Sequence, residues 1–156
     1  MIEGLEVKRF DLLKCTFIIP LRIETADRMR NIITTLIYLT RNFACRIIVK
    51  EVDKESVYLR DVKPLLEQAL EPEMLASIHH IFEQSDDFTF HRTKILNDML
   101  WMVETPVVAN YDSDIILPLD SYINATNMIV KGWVHPDAEG GQPVKCVYPY
   151  GLGEYQ

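Results

Sequence analysis

Short apolar runs alternate along the chain with longer segments in which apolar residues recur every three or four positions. The first run covers residues 15–19 and is followed by Pro20. A continuous apolar run of this length is typical of a strand buried on both faces of a parallel sheet. Because proline has no N–H to donate to a strand ladder, we expect Pro20 to mark the end of this strand.

The rest of the chain continues the same alternation. Further strands are predicted at residues 46–49, 78–82, 107–110 and 144–148. Helical spacing is found in residues 27–40, 61–76, 91–103 and 119–130, with Thr25 or Asp27 as the first cap and with Pro64 and Pro72 interrupting the second helix. This order predicts an α/β three-layer sandwich with a mostly parallel central sheet. Ligands of such folds bind at the carboxyl ends of the strands.

Composition and charge narrow the range of possible functions. The 156 residues, expected to form one domain over 1–156, carry 16 Lys and Arg against 23 Asp and Glu, a net charge of −7. A general nucleic-acid binder would need an excess of basic residues, so nucleic acid is not an expected partner. No apolar run reaches the roughly 20 residues of a transmembrane helix, and the charged start is unlike a signal peptide. Three cysteines without CxxC spacing indicate reduced thiols and a cytoplasmic location.

The strongest chemical feature is Asp112-Ser113-Asp114, which comes directly after the predicted strand 107–110. Two carboxylates on a turn at a strand end are hard oxygen ligands that suit Mg²⁺ or Mn²⁺. A cation held there could bridge the phosphates of a nucleotide, which would explain how an acidic chain binds an anionic substrate. The alternative is that these residues only form the turn, since Asp and Ser favour turns.

Four segments carry a family resemblance. They are residues 17–20 (FIIP), 46–51 (RIIVKE), 90–97 (FHRTKILN) and 107–114 (VVANYDSD). Together they resemble the nucleotide-sugar-binding part of a family-2-type glycosyltransferase with the GT-A fold, in the family's order and at about its spacing. The resemblance covers residues 15–131, and the joint occurrence of four segments is more specific than any one of them.

The resemblance implies a role for each matching site residue. Asp114 would be the main ligand of Mn²⁺ or Mg²⁺, and Asp112 would contact the ribose or the donor sugar and also the metal. Pro20 and Arg22 would border the nucleotide pocket, Glu51 would accept hydrogen bonds from the base or ribose, and Arg92 would lie near the diphosphate or base. Plainer alternatives are a solvated strand end for Glu51, a surface helix position for Arg92 and a loop charge for Arg22.

Departures from the family leave two points open. The family has two adjacent acids followed by Gly-Ser after its second strand, whereas here either Glu51 or Asp53 could take that part. Inverting transfer also needs a general base, and Asp137 and Glu139 are the loop acids that could supply it. We therefore expect the acceptor-binding half to be absent or reduced, and apolar surface exposed by its absence would favour self-association as a homo-oligomer.

The function implied by the resemblance is metal-dependent, inverting transfer of a sugar from a UDP- or GDP-sugar to a glycan or lipid-linked acceptor. One alternative is a sugar-nucleotide-binding module without turnover. Another is a sugar nucleotidyltransferase, which the absence of glycine from residues 19–22 disfavours because that class has a glycine-rich loop there.

Overall fold

The computed structural model describes residues 8–149 and divides into two compact units, residues up to 115 and residues from 116. The first unit contains β1 (Phe10–Leu21), α1 (Ala26–Asn42), β2 (Phe43–Asp53), a π-helical turn (Tyr58–Val62), α2 (Lys63–Ala69), α3 (Pro72–Ala76), β3 (Ile78–Gln84), α4 (Arg92–Leu100) and β4 (Val107–Asn110). The second contains α5 (Leu119–Val130) and a 3₁₀ turn (Glu139–Gly141). The predicted donor domain over 1–156 stays a prediction, and its ends, residues 1–7 and 150–156, lie outside the described residues.

The first unit is an α/β fold whose four-stranded sheet has the order β3-β2-β1-β4, with every neighbouring pair parallel. The chain moves outward from β1 to β3 and then returns across the sheet to β4. Because crossovers between parallel strands are right-handed, this reversal places α1 and α4 on opposite faces. The predicted α/β class with a parallel sheet flanked by helices is therefore confirmed.

The core of this unit lies between the sheet and its helices. On one face Ile18, Ile48 and Val52 pack together with Ile95 and Met99 of α4. Alternate strand residues point to the other face, where α1 packs against β2 and buries an apolar stripe, namely Ile32, Leu36 and Leu39. The Thr25 hydroxyl accepts a hydrogen bond from the Arg28 N–H at 3.2 Å, so the expected cap of α1 is confirmed.

The first strand continues through Pro20 instead of ending there. The Ile18 carbonyl accepts a hydrogen bond from the Tyr111 N–H at 3.1 Å, just after β4 has ended at Asn110. Because strand residues two apart point the same way, the Pro20 nitrogen faces this side, beyond the end of β4. No ladder bond is lost there, which is why a proline is accommodated in a central strand.

Two further expectations differ from the structure. Residues 61–76 form three short helical pieces, and Pro64 and Pro72 stand near the starts of α2 and α3, where a proline needs no N–H. The prediction of a strand at residues 144–148 was wrong, because the structure has no strand there. In the described part of the second unit, the one strand-like pairing is an isolated antiparallel bridge between Val134 and Pro143. Pro143 cannot donate to a ladder, so the pairing does not extend.

Within residues 8–149, none of the helices combines the length and the apolar character that crossing a membrane requires. None of the three cysteines, all of which lie in the described part of the chain, forms a disulfide; Cys15 and Cys45 are buried and Cys146 is exposed.

Candidate functional site

Parallel strands end at one common edge of the sheet, and most of the predicted site residues lie there. Strands β1, β2, β3 and β4 end at Leu21, Asp53, Gln84 and Asn110, respectively. Four predicted residues follow a strand end or begin α4 at this edge, and we call them the carboxyl-edge site: Arg22, Arg92, Asp112 and Asp114.

Arg92 and Asp112 come from two separate motifs and are in direct contact. The Arg92 Nη2 lies 2.5 Å from the Asp112 Oδ1 and 3.4 Å from the Asn110 Oδ1. The two side chains are 45% and 48% exposed, respectively, so solvent reaches both partners. An ion pair of this kind contributes little to folding, and its charges are accessible to a ligand.

Side chains of the first unit hold the turn that carries Asp112 and Asp114 in place. The Thr35 hydroxyl of α1 donates a hydrogen bond to the Ser113 carbonyl at 2.8 Å. Tyr111 packs edge-on against Phe17, with ring centroids 5.4 Å apart, and its hydroxyl donates to the Ile115 carbonyl. Asp114 is exposed, and within residues 8–149 no hydrogen bond or ion pair engages its carboxylate. The turn thus holds its backbone in place and leaves the Asp114 carboxylate at the surface.

The donor set at this turn suits a cation that arrives with phosphates. Throughout the described part of the chain, no three His, Cys, Asp or Glu side chains are grouped so as to hold a metal ion. Asp112 and Asp114 supply two carboxylates, and Mg²⁺ is commonly bound by one or two carboxylates together with substrate phosphates and water. These residues fit that kind of shared site and do not form a permanent, all-protein cage.

Arg22 is an internal anchor. It is buried, as is Pro20 in β1. Its Nε donates to the Val52 carbonyl at 2.8 Å, its Nη1 donates to the Phe88 carbonyl at 3.0 Å, and its guanidinium lies 5.3 Å from the centre of the Phe90 ring. Its Nη2 is buried and has no hydrogen-bond partner in the described structure. Arg22 therefore ties the loop before α4 to the sheet, and the interpretation as a plain loop charge does not hold.

The loop before α4, residues 85–91, has a second fixed point at Asp87. This carboxylate accepts the Thr89 N–H at 2.8 Å and lies 2.8 Å from the His91 Nε2. The pKa of Asp87 is lowered, first by the Thr89 backbone hydrogen bond and then by His91. Between these anchors, the Phe88 side chain is 98% exposed. Sequence reasoning did not single out Phe88, although an aromatic residue next to two acids in a polar turn is a visible signal.

The N-terminus of α4 is open and basic. His91 precedes it and makes no side-chain capping bond, and its first turn contains no acidic residue. Arg92 and Lys94 occupy that turn instead. Free N–H groups and the helix dipole make such an end positive, so basic side chains there are unfavourable for the helix and favourable for an anion.

Glu51 is paired in the sheet with Leu21, the last residue of β1, but its side chain is enclosed within the fold. It is 0% exposed; its Oε2 accepts the Ser56 hydroxyl at 2.5 Å and its Oε1 accepts the Tyr58 N–H at 3.0 Å. Burial raises its pKa, but hydrogen bonds from His80, Ser56 and Tyr58 outweigh burial, so the pKa is lowered. Both oxygens are therefore engaged within the fold. Of the two acids left open by the sequence, Asp53 is the one at the strand end.

Lys50 is a buried charge that the sequence reasoning did not single out. Its Nζ lies 2.7 Å from the Glu83 Oε2 and 3.2 Å from the Asp98 Oδ2. Burial lowers its pKa, but the hydrogen bonds to Glu83 and Asp98 outweigh burial, so the pKa is raised. A lysine on the same strand face as Ile48 and Val52 signals such partners, because a buried charge must be paired.

Comparison with known proteins assigns no family. No protein-family model, no curated protein and no solved structure matches this chain. A function can therefore be proposed only from the site's own geometry and chemistry, together with the resemblance of its motifs.

Proposed function

We propose that this chain is a glycosyltransferase with a GT-A-like fold and that it binds a nucleoside-diphosphate sugar at the carboxyl-edge site. The observation that carries the proposal is the contact between Arg92 and Asp112 beside the uncapped N-terminus of α4. A group that can bind phosphate and an acid that can bind a cation are thus adjacent, as a complex of a diphosphate with a divalent ion requires.

Each residue has a distinct task in this proposal. The diphosphate lies at the N-terminus of α4, where Arg92 pairs with its oxygens and Lys94 adds positive charge to the first turn. Asp112 and Asp114 are the residues that would hold Mn²⁺ or Mg²⁺. When bound, the cation would neutralise the charge that develops on the departing diphosphate. Arg22 acts indirectly, because it positions the loop that leads into α4.

The reaction would be displacement of the diphosphate at the anomeric carbon with inversion, and the acceptor would be a glycan or a lipid-linked glycan. A general base must take the acceptor proton, and we assign none. The two loop acids considered for this role, Asp137 and Glu139, belong to the second unit, and we do not assign the role to either. A cytoplasmic location is part of the proposal, because three cysteines without a disulfide suit a reducing compartment.

Isothermal titration calorimetry with UDP and GDP tests the binding step. We expect binding in Mn²⁺ that is lost in EDTA and weakened by Arg92→Ala and by Asp114→Asn. Arg46 and Glu104 form a matched control pair, because their exposed ion pair, at 3.6 Å, lies at the opposite edge of the sheet. Absence of metal-dependent binding by the folded chain would refute the proposal.

A second assay separates an enzyme from a binding module. UDP- or GDP-sugars are incubated with the chain and Mn²⁺, with and without acceptor glycans, and released nucleoside diphosphate is measured. Release that requires Asp114 and increases when an acceptor is added supports transfer, whereas nucleotide binding without release in any combination supports a module without turnover.

A further inference from the structure

Phe88 combines a fixed backbone with a free side chain. Its carbonyl accepts a hydrogen bond from the buried Arg22, and Asp87 holds the N–H of the next residue, Thr89. Its ring is nevertheless 98% exposed. A buried arginine and a carboxylate thus hold in place a residue whose side chain is left in solvent. Loops fixed in this way commonly present groups for binding.

The position of this ring relates it to the charged part of the site. Phe88 precedes Arg92 by four residues, so their Cα atoms lie within about 14 Å even if the chain between them is fully extended. A nucleoside diphosphate carries an aromatic base at one end and a diphosphate at the other. Residues 88–92 have the same arrangement, with the Phe88 ring at one end for the base and Arg92 at the other for the diphosphate.

We propose that Phe88 is the platform on which the nucleobase stacks. This inference rests on the proposed function, because it assigns the base end of the same ligand. Stacking on an aromatic ring is tolerant of base identity, since every base has a π-face. Phe88 therefore contributes affinity to UDP and GDP alike and does not select between them, and it contributes nothing to a ligand without a base.

The chain offers a matched control for this proposal. Trp101 is 92% exposed and directly follows the C-terminal end of α4. Trp101 therefore lies at the other end of α4 from Arg92, on the side where Glu104 pairs with Arg46 and away from the carboxyl edge. Trp101→Ala thus removes an exposed aromatic side chain, as Phe88→Ala does, but at a different place.

The experiment titrates UDP, GDP and inorganic pyrophosphate, each with Mn²⁺, into the full chain and into Phe88→Ala, Phe88→Trp and Trp101→Ala. We expect Phe88→Ala to weaken UDP and GDP binding by about tenfold, a typical loss for one stacked base, and to leave pyrophosphate binding unchanged. Phe88→Trp should keep the affinity, and Trp101→Ala should bind all three ligands as the unaltered chain does. Replacing an exposed side chain should not disturb folding, which circular dichroism checks.

The outcomes distinguish a failure of the stacking role from a failure of the proposed nucleotide binding. If UDP and GDP bind the unaltered chain and Phe88→Ala equally well, the stacking role is refuted and the proposed function stands. If Phe88→Ala weakens pyrophosphate as strongly as UDP, the ring acts on the loop and not on a base, which also refutes stacking. If the unaltered chain binds neither UDP nor GDP, both proposals fall together.

Discussion

His80 secures the buried carboxylate of Glu51 from the neighbouring strand, with its Nε2 3.1 Å from the Glu51 Oε2. The imidazole also stacks on the Tyr58 ring, with centroids 4.0 Å apart. The contact joins β3, β2 and the π-helical turn at one point. Because Glu51 is fully buried, its charge depends on these partners, and the segment that follows β2 depends on Glu51.

Replacing Glu51 by Gln should destabilise the fold. The Ser56 hydroxyl, the Tyr58 N–H and His80 surround Glu51, and an amide offers one acceptor oxygen where the carboxylate offers two. A buried donor left unpaired costs about 1–3 kcal/mol, so we expect a loss of that size in the free energy of unfolding, measured by urea denaturation. Glu67→Gln, an exposed control, should change it by less than about 0.5 kcal/mol. Equal effects of the two variants would contradict the structural role.

The same carboxylate gives the stability a dependence on pH. The pKa of Glu51 is lower in the folded chain than its ordinary value, because hydrogen bonds from His80, Ser56 and Tyr58 outweigh the opposing effect of burial. A lowered folded pKa contributes stability above the unfolded pKa of about 4.3, and that stability is lost as pH falls through the folded value. The difference in unfolding free energy between the unaltered chain and Glu51→Gln should therefore narrow on acidification from about pH 5. A constant difference would show that Glu51 does not titrate as proposed.

Strand and helix positions were predictable where one periodicity dominates. The runs at 107–110 and 119–130 match β4 and α5, because Pro106 precedes the first and Pro118 and Gly132 flank the second. The ends of β2 were not predictable in this way, since Lys50 and Glu51 resemble a polar strand exit. Lys50 is paired with Glu83 and Asp98, and Glu51 is bonded by Ser56, Tyr58 and His80. Strand periodicity can indicate that a buried charge is paired, but it does not identify the partners.

The candidate site was predictable for the residues that belong to a motif. Both motifs were expected at the carboxyl ends of strands, and Arg92 and Asp112 are in contact there because parallel strands end at one edge of the sheet. Glu51 matched a motif too, but its orientation depends on strand register, which turns it toward His80. The anchoring role of Arg22 depends on the loop of Phe88, and no spacing rule joins these residues.

Arg22→Lys should release the loop before α4. Lysine keeps the charge but cannot donate to the Val52 and Phe88 carbonyls at once with the geometry of a guanidinium. We expect a loss of about 1–3 kcal/mol of unfolding free energy and faster hydrogen exchange at residues 85–91. Arg46→Lys, at an exposed position, is the control. Unchanged exchange in Arg22→Lys would show that the loop does not depend on this anchor.

The three cysteines should differ sharply in reactivity. Burial, and then the neighbouring Cys15, raise the pKa of Cys45 to about 12, so its thiol stays protonated at pH 8. Cys146 is exposed. We expect a thiol reagent such as 5,5′-dithiobis(2-nitrobenzoic acid) to modify one thiol in the folded chain and all three in denaturant. Cys146→Ser should remove the reaction of the folded chain, and rapid modification of Cys45 there would contradict its burial.

The ion pair between Arg92 and Asp112 should matter more for ligand binding than for folding. Both side chains are about half exposed, so Arg92→Ala, Asp112→Asn and the double variant should reveal a coupling of about 0.2–1 kcal/mol in the free energy of unfolding. Loss of a charged hydrogen bond to phosphate costs about 1.5–3 kcal/mol, so Arg92→Ala should weaken UDP binding by at least about tenfold. The control pair, Arg46→Ala and Glu104→Gln, removes a comparable exposed contact and should leave UDP binding unchanged. A large effect of Arg92→Ala on unfolding with none on UDP binding would make the pair structural and would remove the main support for a phosphate site.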